Sequence, residues 1–454
     1  MSQSRSKKFW IIFWSASIVF LAGFWLVLEM KNDPMGTIET AIDWVPWLSN
    51  KEELKSIAYF GNYLMKKDNQ EKTFMLIFQN NMELRPGGGY IGTFGILKMK
   101  NGHITGLQTH DLSNFDGRVP DGIPTPYPMK ETLKVTDWKM RDSNWSPDWA
   151  TNAEKADYFY HLGQGQEKLD GIIGINTDVL ASFLKVTGPI TLADYPGTYD
   201  SENAILTLEY QVEKGYATQG IDKGDRKTVM NELAEAIIQK VETFSISQKV
   251  DLAKIILADL EEKDIQLYFK DAALEKYAEN VGWAGTIDQK WKQDYLAMVD
   301  ANLGAFKSDY YMQRSFDYII DLSGDVPKAN LKITYTHTGK VKDWMTRDYL
   351  SYLRVYVPDG AWLENSSGWD NNNIRFGTEL GKKYFGSIVK VPLGETRTVE
   401  IAYTLPTDIA KNYDLLIQKE SGLGTVPGII TVIGKDGQSK VVTIDLKKDW
   451  QMVK

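Results

Sequence analysis

Lys72-Thr-Phe-Met-Leu-Ile-Phe78, then Gln79-Asn-Asn-Met-Glu-Leu-Arg85, then Pro86-Gly-Gly-Gly-Tyr-Ile-Gly-Thr-Phe-Gly95 is the stretch that decides how this chain is read. A short apolar run bounded by polar and turn residues is a strand signature, so Lys72 to Phe78 reads as a buried strand. A second strand, Tyr90 to Met99, meets Asn101-Gly102 and returns as His103 to Thr109, ending on His110-Asp111. Asn-Gly between two such runs favours a tight hairpin, because both residues accept positive φ. Arg85 stands beside three consecutive glycines. Glycine backbone can turn its N–H groups toward an anion, and a guanidinium supplies a fixed fork of donors. The same spacing also suits an ordinary glycine-rich turn with a solvated arginine.

Upstream, Glu52 to Lys67 places Leu54, Ile57, Ala58, Phe60, Tyr63 and Leu64 at the spacing of an amphipathic helix. Further back, Phe9 to Leu28 is uncharged and about the length that crosses a bilayer. Trp10, Trp14 and Trp25 favour its interfaces; Arg5, Lys7 and Lys8 precede it and Glu29 follows. The positive-inside rule then makes 1–8 a cytoplasmic basic tail, 9–28 an N-terminal transmembrane helix and 29–50 a juxtamembrane tether. A cleaved signal peptide fits less well, since the apolar run is long and no small-x-small site closes it. The expected location is the cytoplasmic membrane, single-pass, with the bulk outside.

Downstream, residues 114–137 form a long loop rich in Pro, Gly and Asp. Ser146 is placed to cap a helix with Pro147 at its first position, running to about Gly163. Gly171 to Asn176 reads as a strand, and helices follow near 177–185, 202–214, 225–243, 247–262 and 271–280, with a strand at 265–269. This alternation predicts an α/β domain over 51–305. After Tyr311 the apolar period changes to two, with strands near 331–335, 350–357, 384–391, 399–403, 413–418, 429–433 and 441–446. Those short alternating strands predict an all-β sandwich over 306–454.

At 454 residues, 43% hydrophobic and 25% charged, the chain is long enough for two folded domains. It has no cysteine, which excludes disulfides, thiolate metal sites and thiol nucleophiles. Four histidines leave little room for a multi-histidine metal site. A net charge of −8 argues against nucleic acid as a partner, and an anionic ligand would need a local pocket.

No nucleophile elbow, Walker loop, His-Glu-x-x-His or dinucleotide-binding glycine pattern is present. Asp111 and Asp116 sit just past a strand end, where α/β folds place ligands, and their oxygens suit Mg²⁺. Asp225-Arg226 opens a helix, where an acidic residue complements the dipole. Trp145 and Trp149 read either as core packing or as a stacking wall for a sugar or lipid.

The block Phe78 to Gly95 resembles the signature of a bacterial membrane-anchored family known only as a domain of unknown function, DUF4012. Asn144-Trp-Ser-Pro-Asp148, Leu169-Asp-Gly-Ile-Ile-Gly-Ile175, Thr187-Gly-Pro189 and Lys307-Ser-Asp-Tyr-Tyr311 resemble it too. A fainter resemblance is to the LytR-CpsA-Psr family, membrane-anchored enzymes that transfer glycopolymers from a polyprenyl-pyrophosphate carrier to the cell wall. It rests on Gly95 to Asp111, Asp170 to Pro189 and Gly224-Asp225-Arg226. His110 stands where that family has an arginine. The resemblance implies a layered α/β fold and a possible phosphotransferase acting on or binding a polyprenyl-phosphate-linked glycan or cell-wall polymer; the alternative is a non-catalytic envelope scaffold or binding module. On the transferase reading Arg85 and Asp111 would be catalytic, and Asp111 and Asp116 would hold Mg²⁺. Gly87, Gly88, Asn144, Asp148, Arg226 and Lys307 would contact the ligand.

Overall fold

The computed structural model describes residues 51–452, and the expected tail, membrane helix and tether at 1–8, 9–28 and 29–50 lie outside them. Among the described residues no helix is long and apolar enough to cross a membrane.

Helix α1 (Lys51–Met65) leads into β1 (Glu71–Asn80), which pairs antiparallel with β2 (Tyr90–Lys100). Strand β3 (His103–Asp111) folds back on β2 through Asn101-Gly102, both at positive φ (54° and 82°), as the Asn-Gly pair predicts. On its other edge β1 runs parallel to β4 (Gly171–Asn176), which pairs antiparallel with β5 (Ile265–Phe269). The sheet order is β3-β2-β1-β4-β5.

The period of two along β1 divides its apolar residues between the two faces. Met75 and Ile77 pack against Trp149, Ala153, Ala156 and Phe159 of α2 (Trp149–Leu162). Asp148, and not Ser146, caps α2: its carboxylate accepts the Thr151 N–H at 2.9 Å, while Ser146 Oγ accepts the Asp148 N–H at 3.2 Å. A carboxylate there also complements the helix dipole. Trp149 is wholly buried in this core and Trp145 is buried in another, with Met129, Leu303 and Tyr352, which removes both as an open stacking wall.

The other face carries two helical groups. Helices α3 (Asp178–Thr187), α4 (Ala204–Tyr210, continued by a π turn at Gln211–Gly215) and α5 (Thr228–Glu242) share a core around Leu184, Tyr199, Leu208, Val229 and Leu233. Helix α6 (Ile246–Glu261) begins on a capping box of Ser245 and Gln248. Helix α7 (Ala272–Asn280) joins α1 around Phe74, Phe269, Leu274 and Trp283.

The C-terminal part contains β6 (Asp294–Val299), β7 (Met312–Asp321), β8 (Lys328–His337), β9 (Tyr349–Pro358), β10 (Trp362–Ser367) and β11 (Arg375–Glu379). It continues with β12 (Lys382–Val391), β13 (Thr396–Thr404), β14 (Leu415–Gln418), β15 (Val426–Ile433), β16 (Ser439–Leu446) and β17 (Trp450–Gln451). They make two sheets, ordered β10-β13-β8-β7-β15-β16 and β11-β12-β9-β6-β14-β17. Inward residues of both, among them Tyr318, Leu331, Val355, Phe385, Ile401 and Ile417, share one core in the manner of a sandwich. Strand β6 lies before the boundary expected at 305 yet sits between β9 and β14. Its near-continuous burial explains why no alternating pattern marks it.

Candidate functional site

Leu76, Phe78 and Ile175 point from β1 and β4 toward the helical face, yet remain half-exposed inside a layered fold. The cause is the packing of α5. Its Val229, Leu233 and Ile237 close a core with α3 and α4 and leave a gap over the sheet. The gap is a cavity of about 730 Å³, walled by Leu180 and Phe183 of α3, Leu208 of α4, and Met230 and Ile238 of α5.

Polar groups gather along the same cavity: Glu83, Arg85, Asp111, Arg141, Asp142, Glu209, Glu213, Arg226, Lys227 and Lys307. Asp111 ends β3 and caps a short helix, accepting the Ser113 N–H at 2.8 Å. Its other oxygen lies 3.0 Å from Lys227 Nζ, which also donates to the Gly92 carbonyl at 2.8 Å. Burial pushes Asp111 up, but hydrogen bonds from Ser113 and Lys227 outweigh it and hold its carboxyl below the usual range. For Lys227 burial wins over Asp111 and pulls the ammonium below the ordinary lysine value. Lys307 is also pulled down by burial, against the attraction of Glu83. Lys307 pairs with Glu209 at 2.9 Å, and Arg226 with Glu213 at 3.6 Å.

The expected residues divide into two groups. Asp111, Arg226, Lys307 and Arg85 line the cavity. Arg85, however, is 2% exposed and held by internal partners. Its Nε donates to Asp142 (3.4 Å), Nη1 to the Leu84 and Asn302 carbonyls (3.2 and 2.8 Å), and Nη2 to Glu83 (3.0 Å). Glu83 and Asp142 keep it charged against the pull of burial. This fork is engaged in joining the two domains, which corrects the expectation of a free anion clamp.

Gly87, Gly88, Asn144 and Asp148 are packing residues away from the cavity lining. The Gly87 N–H donates to the Asn144 carbonyl at 3.0 Å, and Asn144 Nδ2 donates to Gln79 Oε1 and the Gly89 carbonyl, both at 2.6 Å. A Cβ on Gly87 would overlap Asn152, and one on Gly88 would meet Asn176 and Gln79. The glycines let two backbone segments touch and do not form an anion nest. Asp148 serves the α2 cap and accepts the Ile287 N–H at 3.1 Å.

Asp116 does not join Asp111 as a metal pair. It is buried, accepting Arg141 Nε at 2.5 Å and the Met140 N–H at 3.0 Å. Among the described residues no group of three or more acidic or histidine side chains is arranged to hold a metal ion. The expected Mg²⁺ does not fit this donor set.

Lys227 and Arg141 escaped the sequence reading. The signal for Lys227 was a cation at a helix N-terminus, where the dipole disfavours it.

Comparison with known proteins finds a family model that matches part of the chain. Residues 69–212 match the model of a family described as protein of unknown function (DUF4012). The DUF4012 segment runs from β1 into the π turn after α4; it contains the sheet wall of the cavity, and α5 lies beyond it. No curated protein matches the chain. Among solved structures, the Lin1025 protein from Listeria innocua is 13% identical over 48% of this chain and 80% of its own, with a TM-score of 0.27. The transcriptional regulator yvhJ from Bacillus subtilis is 13% identical over 48% and 98%, TM-score 0.20. Legionella pneumophila aminopeptidase A is 17% identical over 29% of this chain and 17% of its own, TM-score 0.18. Likenesses at this level carry no argument about this chain.

Proposed function

We propose that the protein binds a polyprenyl-phosphate-linked glycan or a related cell-wall polymer precursor at the outer face of the cytoplasmic membrane, its tail between sheet and α5. The observation that carries this reading is one cavity of about 730 Å³ with apolar walls and a polar lining in which basic side chains stand among carboxylates. Pockets of roughly 300–1,000 Å³ suit small-molecule ligands. Each methylene buried there contributes about 0.8 kcal/mol. Arg226, Lys227, Lys307 and Arg141 are each paired with a carboxylate, and a phosphate would bind by taking the place of such a partner. Binding is favoured over transfer, because Arg85 spends its donors internally and Asp116 is taken by Arg141. Asp111, one of several carboxylates in the lining, would have to part from Lys227 to accept a proton from an acceptor hydroxyl.

The test is identification by mass spectrometry of lipid that stays with the detergent-solubilised full chain. Leu180→Trp, which fills the cavity, should lower the amount retained while leaving folding intact. Recovery of bulk phospholipid alone, in equal amounts from both proteins, would sink the reading.

A further inference from the structure

The β8–β9 loop, Thr338 to Arg347, is fastened at both ends. The Thr338 N–H donates to the Tyr311 carbonyl at 2.9 Å, and the Lys307 N–H to the Met345 carbonyl at 2.7 Å. Met345 is buried, and Trp344 meets Tyr210 of α4 edge to face with ring centroids 6.2 Å apart. Between these anchors the tip Lys340-Val341-Lys342 is open to solvent, with Val341 73% exposed. Tyr210, against Trp344, and Tyr310, against the Tyr311 ring at the loop's other anchor, are also exposed. Asp343, the acidic neighbour, is exposed, and one of its oxygens accepts the Met345 and Thr346 N–H groups, each at 2.8 Å. Neither Lys340 nor Lys342 has a carboxylate partner among the described residues.

This loop stands next to the cavity. Lys307, which holds Met345, and Glu209, which precedes Tyr210, both line it. An apolar tip flanked by lysines, with Trp and Tyr beside it, has the chemistry of a membrane interface: the apolar group enters, ammonium groups stay at headgroup depth, and aromatic rings sit at the boundary. The chain's net charge of −8 gives no general attraction to anionic surfaces, so the contact depends on this local charge.

We propose that Lys340-Val341-Lys342, with Trp344, Tyr210 and Tyr310, docks on a bilayer surface bearing anionic headgroups and turns the cavity mouth toward the lipid phase. The inference rests on the amphiphile reading for its purpose, but its geometry is tested separately. The chain contains no cysteine, so Val341→Cys gives a unique attachment point for an environment-sensitive fluorophore. Val441→Cys, another exposed position, on β16, is the control.

With the full chain and phosphatidylglycerol vesicles, the label at 341 shifts to the blue and brightens severalfold, while the label at 441 stays water-like. Lys340→Gln with Lys342→Gln raises the anionic lipid needed for half the signal about 25-fold, since each lysine near such a surface contributes about fivefold. Water-like emission at 341 in these vesicles overturns the proposal and leaves the tip to a protein partner. Equal shifts at 341 and 441 overturn it as non-specific adsorption. A full signal at 341 with lipid retention unchanged by Leu180→Trp keeps the docking surface and removes the cavity reading; lipid lost on Leu180→Trp with water-like emission at 341 removes the docking surface alone.

Discussion

Lys227 Nζ, at the start of α5, lies 3.0 Å from Asp111 Oδ2 at the end of β3, so one ion pair spans the two walls of the cleft. One turn on, Asn231 Oδ1 accepts the Thr109 hydroxyl at 3.0 Å and reinforces the same closure. An anionic headgroup arriving here competes with Asp111 for the ammonium.

Asp111→Asn therefore frees Lys227 and should tighten binding of a polyprenyl phosphate by about fivefold, the scale of a part-exposed pair worth up to about 1 kcal/mol. Lys227→Gln should weaken it. Calorimetric titration with a short-chain polyprenyl phosphate measures both. Identical affinities for the two variants would remove Lys227 from the headgroup site.

Arg85→Ala is expected to act on folding. It strands Glu83 and Asp142 without their cation, and breaking a buried pair in this way costs about 3–5 kcal/mol. Urea unfolding should show the loss, and Arg85→Lys should recover little of it because an ammonium cannot reproduce the fork. A variant as stable as the parent would return Arg85 to the ligand.

Gly422 has φ of +81°, and a Cβ there would overlap the Gly88 carbonyl; Gly437 has φ of +76° with open space around it. Gly437→Ala should cost about 1–2 kcal/mol, the strain of a left-handed residue alone. Gly422→Ala should cost more, because the contact between sandwich and Gly88 must also part. Comparison of their melting temperatures decides it, and equal losses would show that the contact yields freely.

Asp294 gives a pH dependence of defined sign. It is wholly buried in the sandwich, accepting the Tyr413 and Tyr318 hydroxyls at 2.7 and 2.9 Å. Burial, only partly offset by those bonds, pushes its carboxyl up from 3.8 to about 7. Between about pH 4 and 7 the unfolded chain releases a proton that the folded chain retains. Stability from this group is thus fully present below about pH 4, falls as pH rises to 7, and stays low above. The fall is on the order of 4 kcal/mol. Asp294→Asn should flatten that slope in chemical denaturation across the window; an unchanged slope would assign it to other carboxyls.

Local pattern revealed the Asn-Gly hairpin, β1 and β4, because turn chemistry and apolar runs are encoded within a few residues. Arg85 looked free for the opposite reason: Asp142 and Asn302 reach it from 57 and 217 positions away. The three glycines gave a correct signal of close backbone approach, but the approaching group was Asn144 or the chain near Gly422, and not an anion. The cavity itself had no sequence mark. It arises from α5 packing on α3 and α4, a tertiary choice that the apolar residues of each helix would equally allow to go the other way.

The placement of β6 limits how this chain can be divided. A fragment beginning at 306 would lack the plank between β9 and β14, leaving two raw edges in one sheet and the tyrosine cage without its acid. Any exchange of the C-terminal part as a cassette, by recombination or by cloning, has to cut ahead of Asp294.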